Sequence, residues 1–156
     1  MKPASLADIK KELKQKPPEK LMDICLRLGR FKKDNKELLT YLLFDEDDEA
    51  GYIEQIKYDI DDQMEVIDSN HIYYAKKGIQ KILRNLNKQI RYSGSKQTEL
   101  EVRLYFCQAI KKSGISIGKS TVLTNMYERQ VLKINNILAL LHEEIQSDYS
   151  KDVSVL

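Results

Sequence analysis

The sequence predicts an all-α fold of about seven helices, and three observations support this. Apolar residues recur every three or four positions along most of the chain, which is the spacing of one buried helix face. Residues that interrupt helices are scarce, with 6 Gly and 3 Pro among 156 residues. No stretch alternates apolar and polar residues for long enough to predict a strand. We therefore expect one all-helical domain over residues 1–146, followed by a flexible, non-periodic tail over residues 147–156.

Three helices are predicted before residue 45. Ser5 and Asp34 are each followed three positions later by an acidic residue, a pattern typical of a helix start. Between them, Pro17–Pro18 fit the first turn of a second helix, where proline is tolerated. The third helix is apolar on nearly every side, so we expect it to lie at the centre of the core. Its apolar residues are Leu38, Leu39, Leu42, Leu43 and Phe44.

Two consecutive helices of opposite charge follow, over about Tyr52–Asp68 and Ile72–Arg91. The segment Asp45–Asp68 contains eleven acidic residues and one base, whereas Ile72–Gln97 contains no acidic residue at all. Five cations on the second helix step by three or four positions, so they share one face opposite the apolar stripe. This basic row consists of Lys77, Lys81, Arg84, Lys88 and Arg91. The formal net charge of +2 hides this segregation.

Two further helices complete the prediction. Ser95 or Thr98 caps the sixth, which carries an apolar face of Leu100, Leu104, Cys107 and Ile110. A loop over Ser113–Gly118 follows, and Ser120 opens a last helix that extends to about Ile145.

A faint internal repeat bears on how these helices pack. Glu37–Leu38, Leu42 and Phe44 match Glu99–Leu100, Leu104 and Phe106 at one constant offset. The residues just before each segment also match, with the offset shifted by one. If two helical hairpins share a plan, the expected architecture is a stack of α-hairpins resembling HEAT or armadillo repeats. If the match is a coincidence between amphipathic helices, an irregular helical bundle is the alternative.

Two stretches imitate known ligand sites but fail on spacing. Gly114–Thr121 resembles a phosphate-binding loop, yet three residues rather than four separate its glycines and no strand precedes it. Asp45–Glu54 is acidic enough for calcium, but placing Gly51 at the sixth position of an EF-hand loop puts Lys57 at the twelfth. We interpret the first as a helix start and the second as a solvated acidic turn.

The remaining reactive side chains do not form a readable constellation. His71 and His142 have no second ligand or triad partner at a recognisable spacing. Cys25 and Cys107 are far apart in apolar helical patterns, which favours free thiols in a reducing compartment. The sequence therefore predicts no catalytic residue, no metal and no cofactor.

The start of the chain and its apolar runs bear on localisation. Met1–Lys11 lacks the apolar centre of a signal peptide, and no apolar run approaches membrane-spanning length. We expect a soluble, cytoplasmic protein without a membrane partner.

Three functional hypotheses remain open at this stage. The first is a non-enzymatic interaction or scaffold domain with an unknown protein partner. The second is a nucleic-acid-binding protein that uses the basic row, provided that the acidic segment faces elsewhere. The third is an enzyme with dispersed carboxylates, for which no acid–base pair can be identified by spacing. Against a functional role for the charged helices, a run of charges is most often a solvated helix face.

Overall fold

The computed structural model describes residues 1–156 and contains eight α-helices and no strand, which confirms the predicted all-α fold. The helices are α1 (Leu6–Leu13), α2 (Pro18–Phe31), α3 (Lys33–Thr40), α4 (Glu49–Glu65), α5 (Ile72–Ser93), α6 (Lys96–Lys112), α7 (Thr121–Leu140) and α8 (Glu143–Ser154). A π-helical turn over Tyr41–Asp45 follows α3, and a 3₁₀ turn over Ile117–Lys119 precedes α7. No helix combines the length and apolar content that crossing a bilayer requires.

The chain divides into two compact units, Met1–Phe44 and Asp45–Leu156. The expected single domain over residues 1–146 stays a prediction.

The first unit is built from α1, α2 and α3. The Ser5 hydroxyl oxygen accepts a hydrogen bond from the Asp8 backbone N–H at 3.2 Å, as the capping pattern predicted. Lys32 alone connects α2 to α3, in an extended conformation that turns the chain sharply. Helix α3 therefore begins at Lys33, and Asp34 lies in its first turn rather than at its cap.

The prediction that the third helix is central to the core is wrong. Leu42 is 44% exposed and Phe44 is 76% exposed, and none of the residues of α1, α2 or α3 is buried. Tyr41, which precedes Leu42, is buried, with 4% of its surface exposed. The physical reason is size, because a unit of about forty residues has too little material to enclose an all-round apolar helix.

In the second unit the central element is α6. It contributes eight buried residues: Thr98, Leu100, Val102, Arg103, Leu104, Phe106, Cys107 and Ile110. Its first turn is fixed by Ser95, whose hydroxyl oxygen accepts from the Thr98 backbone N–H at 3.2 Å. Buried residues of α4, α5 and α7 complete one continuous core around it.

Side-chain contacts define how the helices of the second unit pack. Lys57 of α4 bonds Glu101 of α6 at 2.7 Å, and one turn later the Tyr105 hydroxyl donates to Asp61 at 2.5 Å. Because both partners advance together, α4 and α6 lie side by side and run in the same direction. They are the first helices of the hairpins α4–α5 and α6–α7, and α8 adds a further helix where Tyr149 donates to Glu101 at 2.9 Å.

Matching residues of the internal repeat differ in how deeply they are buried. Leu104 is 4% exposed in α6, whereas Leu42, its counterpart in the repeat, is 44% exposed. The same pattern is therefore enclosed in one unit and open in the other.

The C-terminal prediction also differs from the structure. Helix α7 ends at Leu140 rather than near Ile145, because Leu141 is extended. His142 then caps an eighth helix, α8, in the region where the sequence analysis expected a non-periodic tail. Val153 of this helix is buried, and the Tyr127 hydroxyl donates to the carbonyl oxygen of Leu156 at 3.4 Å.

Candidate polyanion-binding surface

The basic row lies on the outer face of α5. The opposite face is buried through Ala75, Ile79, Ile82, Leu86 and Ile90, which fixes the rotation of the helix. Lys77, Lys81, Arg84 and Arg91 are exposed, and Lys88 is half-buried. Gly94 ends the helix in a left-handed conformation, with φ at 68°, and its backbone N–H donates to the carbonyl oxygen of Ile90. The five cations thus share one surface of a single well-defined helix.

Three members of the row enter an open cleft of about 730 Å³ beside the start of α6. Arg84, Lys88 and Arg91 line it from α5, and Lys96 and Arg103 line it from α6. We call this space the basic cleft. Lys77 and Lys81 are not part of its lining and extend the row toward the beginning of α5. The structure therefore brings together three of the five predicted cations and adds two that sequence reasoning missed.

Glu99 is the one carboxylate that lines the basic cleft, and it is already paired. The Arg103 guanidinium donates to its Oε1 from Nε at 3.0 Å and from Nη2 at 2.9 Å, and the Lys96 ammonium reaches its Oε2 at 3.1 Å. Burial raises the pKa of Glu99, but the hydrogen bonds from Arg103 and Lys96 outweigh it and hold this pKa below its ordinary value. The cleft therefore carries five cations and one carboxylate, a formal surplus of four positive charges.

Arg103 organises the walls of the basic cleft. It is only 4% exposed, and its Nη1 donates to Asn87 of α5 at 3.0 Å and to Gln130 of α7 at 2.7 Å. One guanidinium thereby joins three helices, a geometry that suits the planar, multi-donor arginine side chain. We interpret Arg103 as a positioning residue for the more exposed cations around it.

Exposed aromatic rings lie at the other end of the row. The Lys77 ammonium is 4.6 Å from the centroid of the Tyr73 ring, and the ring of Tyr74 meets that of Tyr73 edge to face at 5.4 Å. His71 packs edge-on against Tyr74 at 6.2 Å. Lys77 also lowers the pKa of the Tyr73 hydroxyl, through hydrogen bonding and its charge. Tyr73 and Tyr74 are 54% and 64% exposed, so their rings are accessible to a ligand.

Helix α4, which is acidic, contacts the other flank of α5. The Tyr52 hydroxyl donates to the carbonyl oxygen of Gln89 at 3.0 Å, and Asn85 donates to Gln63 at 3.3 Å. Gln89 and Asn85 are absent from the lining of the basic cleft. Two acidic residues of α4 reach α5. Asp59 accepts from the Gln89 side chain at 3.4 Å, and Glu49 accepts from the hydroxyl of Ser93 at the end of α5 and from that of Thr98 in α6 at 2.5 Å.

Other acidic side chains of α4 are paired toward α6. Asp61 accepts from Tyr105, and Glu54 accepts from Lys57 at 2.8 Å. Lys57 also bonds Glu101, so its ammonium is shared between two carboxylates. These acidic groups therefore belong to the α4–α6 surface rather than to the flank that forms the basic cleft.

The two stretches that resemble known ligand sites, Gly114–Thr121 and Asp45–Glu54, contain helix caps. Ser120 caps α7 by accepting from the Leu123 backbone N–H at 3.3 Å, and Asp48 caps α4 by accepting from the Gly51 N–H at 3.0 Å. No group of three or more His, Cys, Asp or Glu side chains is arranged to hold a metal ion. Burial raises the pKa of the Cys107 thiol to about 12, which leaves it protonated and unreactive near neutral pH.

No protein-family model matches this chain, and no curated protein or solved structure matches it. The interpretation of the surface therefore depends on its own geometry and charge.

Proposed function

We propose that the protein is a non-enzymatic helical binding module that holds single-stranded nucleic acid along α5. The observation that carries this proposal is the order of groups along one exposed helix face. Accessible tyrosines lie at one end, an uninterrupted row of cations follows, and a five-cation cleft lies at the other end. Proteins that bind single strands combine these two elements, a basic track for phosphates and aromatic rings on which bases stack.

The dimensions of the row support a polymeric ligand over a small anion. Lys77 and Arg91 are fourteen residues apart, which corresponds to about 21 Å along a helix that rises about 1.5 Å per residue. That length can follow several successive phosphates, whereas a single phosphate ion would use only one end of it.

The aromatic end favours a single strand over a duplex. Bases in a duplex stack on each other, so their faces are not available to Tyr73 and Tyr74. An unpaired base can stack on the Tyr74 ring, and a second can stack on the Tyr73 ring when it displaces the Lys77 ammonium. Each base–aromatic contact of this kind is worth about 1–3 kcal/mol when measured by alanine substitution.

Fluorescence anisotropy with a labelled mixed-sequence 12-nucleotide RNA or DNA strand tests the proposal. We expect binding tighter than about 10⁻⁴ M at physiological salt, which is the weak end of ordinary non-specific affinity. We also expect weaker binding to the matching duplex, because only the single strand can use the tyrosines. The combined variant Tyr73→Ala and Tyr74→Ala should weaken single-strand binding by at least about fivefold, the lower limit for one stacked base, and leave duplex binding nearly unchanged.

Two charge-reversal variants distinguish the effect of this surface from the effect of the net charge of the protein. The variant Lys81→Glu, Arg84→Glu and Arg91→Glu should lose binding and keep its helicity, because Glu is also a good helix former. The matched control reverses three exposed lysines that do not line the basic cleft: Lys112, Lys119 and Lys133. It changes the net charge equally and should retain most of the affinity. Equal losses in both variants, or a wild type that does not bind below about 10⁻⁴ M, would refute the proposal.

A further inference from the structure

The first unit carries a second surface, which differs chemically from the basic row. Helices α2 and α3 border an open groove of about 610 Å³, and we call it the α2–α3 groove. Leu26, Leu39, Leu43 and Phe44 provide its apolar side chains. Gly29 of α2 allows α3 to come close, because a Cβ atom at that position would lie 3.0 Å from the Leu39 Cδ1 atom. The groove is therefore a consequence of how tightly the two helices meet.

The apolar side chains of this groove are open to solvent. Leu43 is 69% exposed, Phe44 is 76% exposed and Leu26 is 48% exposed. Full burial of one such side chain is worth about 1.5–3 kcal/mol, so a ligand that covers all three has a substantial favourable term available. Contiguous exposed apolar surface of this kind is typical of binding sites in soluble proteins.

The charged residues that line the groove all have one sign. They are Arg30, Lys32, Lys33 and Lys36, and no acidic residue is among the lining residues. Lys33 does form an ion pair with Glu37 at 3.4 Å, but its side chain remains 85% exposed, so this pair constrains it little. The complementary ligand therefore has an apolar stripe flanked by negative charge.

We propose that the α2–α3 groove binds an acidic amphipathic helix of a protein partner. An amphipathic helix in a hydrophobic groove is a recurring mode of peptide recognition, with apolar anchors spaced three or four residues apart. Nucleic acid matches the charge but offers no aliphatic stripe for Leu26 and Leu43. A lipid surface matches both chemistries, but its flat interface cannot enter a groove. A helix alone satisfies charge, apolarity and shape together.

The test uses the full chain and a synthetic helical peptide. The labelled probe has about sixteen residues, with Leu and Phe at helical spacing on one face and Glu at the flanking positions. Its control is a scrambled peptide of the same composition, which keeps the charge but loses the stripe. We expect the amphipathic peptide to bind tighter than about 10⁻⁴ M in fluorescence anisotropy, and the scrambled peptide to bind at least tenfold more weakly.

Two variants assign the binding to the groove. Leu43→Asp removes an anchor at a position that is already 69% exposed, so the fold should be retained while peptide affinity falls at least tenfold. Reversal of Lys32, Lys33 and Lys36 to Glu should reduce affinity by a similar factor. The matched control reverses Lys10, Lys11 and Lys14 to Glu; these lysines are exposed in the same unit but do not line the groove. Its affinity should stay within twofold of the wild type.

Three results would overturn the proposal. Equal binding of the scrambled peptide would show that the protein recognises only the negative charge of the peptide and not its apolar stripe. Sedimentation of the wild type with vesicles of phosphatidylcholine and phosphatidylserine, without peptide binding, would assign the groove to a lipid surface. A change in oligomeric state on Leu43→Asp, measured by light scattering and again without peptide binding, would assign it to contacts between copies of this chain.

Discussion

Replacement of Arg103 by Met tests whether this buried guanidinium holds the second unit together. The side chain donates to Glu99, Asn87 and Gln130 over distances of 2.7–3.0 Å, and it is 4% exposed. Its removal leaves Glu99 with Lys96 as its remaining cation among these groups, and it leaves Gln130, also 4% exposed, without this donor. Glu99 is half-buried and keeps Lys96, so the cost is that of the lost hydrogen bonds and of the Gln130 acceptor left without its donor, about 2–4 kcal/mol.

Urea denaturation followed by circular dichroism measures the loss. We expect the free energy of unfolding of Arg103→Met to fall by about 2–4 kcal/mol. Arg103→Lys should recover only part of the loss, because an ammonium restores a positive charge near Glu99 but cannot reach Glu99, Asn87 and Gln130 together as the guanidinium does. The control is Arg129→Met on α7, an exposed arginine whose replacement should change stability by no more than about 0.5 kcal/mol. A loss below about 1 kcal/mol for Arg103→Met would show that the three-helix junction does not depend on this residue.

Two further predictions concern the core and the pH dependence. Leu104→Ala in α6 should cost about 2–5 kcal/mol in chemical denaturation because a cavity forms in a packed core, whereas Leu42→Ala, at 44% exposure, should cost less than about 1 kcal/mol. Equal losses would contradict the assignment of α6 as the central helix. The pKa of Glu99 in the folded protein is held below its ordinary value of 4.5. The ionised side chain therefore stabilises the fold at pH values above 4.5, and this stabilisation is lost as the pH falls through the pKa of the folded state. Glu99→Gln should therefore have a lower free energy of unfolding than the wild type at pH 7. The difference between the two proteins should shrink when the same denaturation is repeated at lower pH. A difference that stays constant with pH would show that the charge of Glu99 is not involved.

The helix α5 and its basic row could be read from the sequence, because an apolar stripe of regular period determines which side chains face outward. The role of Arg103 could not be read, since its partners Asn87 and Gln130 are sixteen and twenty-seven residues away and belong to other helices. A lone arginine in a helical pattern normally indicates surface. Only the packing of three helices shows that this one is buried.

The two other discrepancies have different physical origins. Leu42 and Phe44 were expected in the core because they are apolar, but burial also needs surrounding material, and the first unit is small. The eighth helix had a readable signal, since Ile145, Tyr149 and Val153 recur at intervals of four. That signal was missed because no glycine or proline marks the extended residue Leu141, so the preceding helix was continued through it.

Salt distinguishes the two proposed binding surfaces, because the forces that they use respond to it differently. Phosphate contacts along α5 release counterions, so log K should fall with log salt with a slope of about −0.7 per contact on a single strand, or about −3.5 for five contacts. At the α2–α3 groove, apolar burial is not weakened by salt, and only the four cations at the groove are screened. We therefore expect a clearly shallower slope for the acidic peptide than for the nucleic acid, measured by anisotropy on the same protein between 50 and 300 mM salt. If both ligands gave the same steep slope, the apolar side chains of the groove would contribute nothing, and both ligands would be reporting only on the positive charge of the chain.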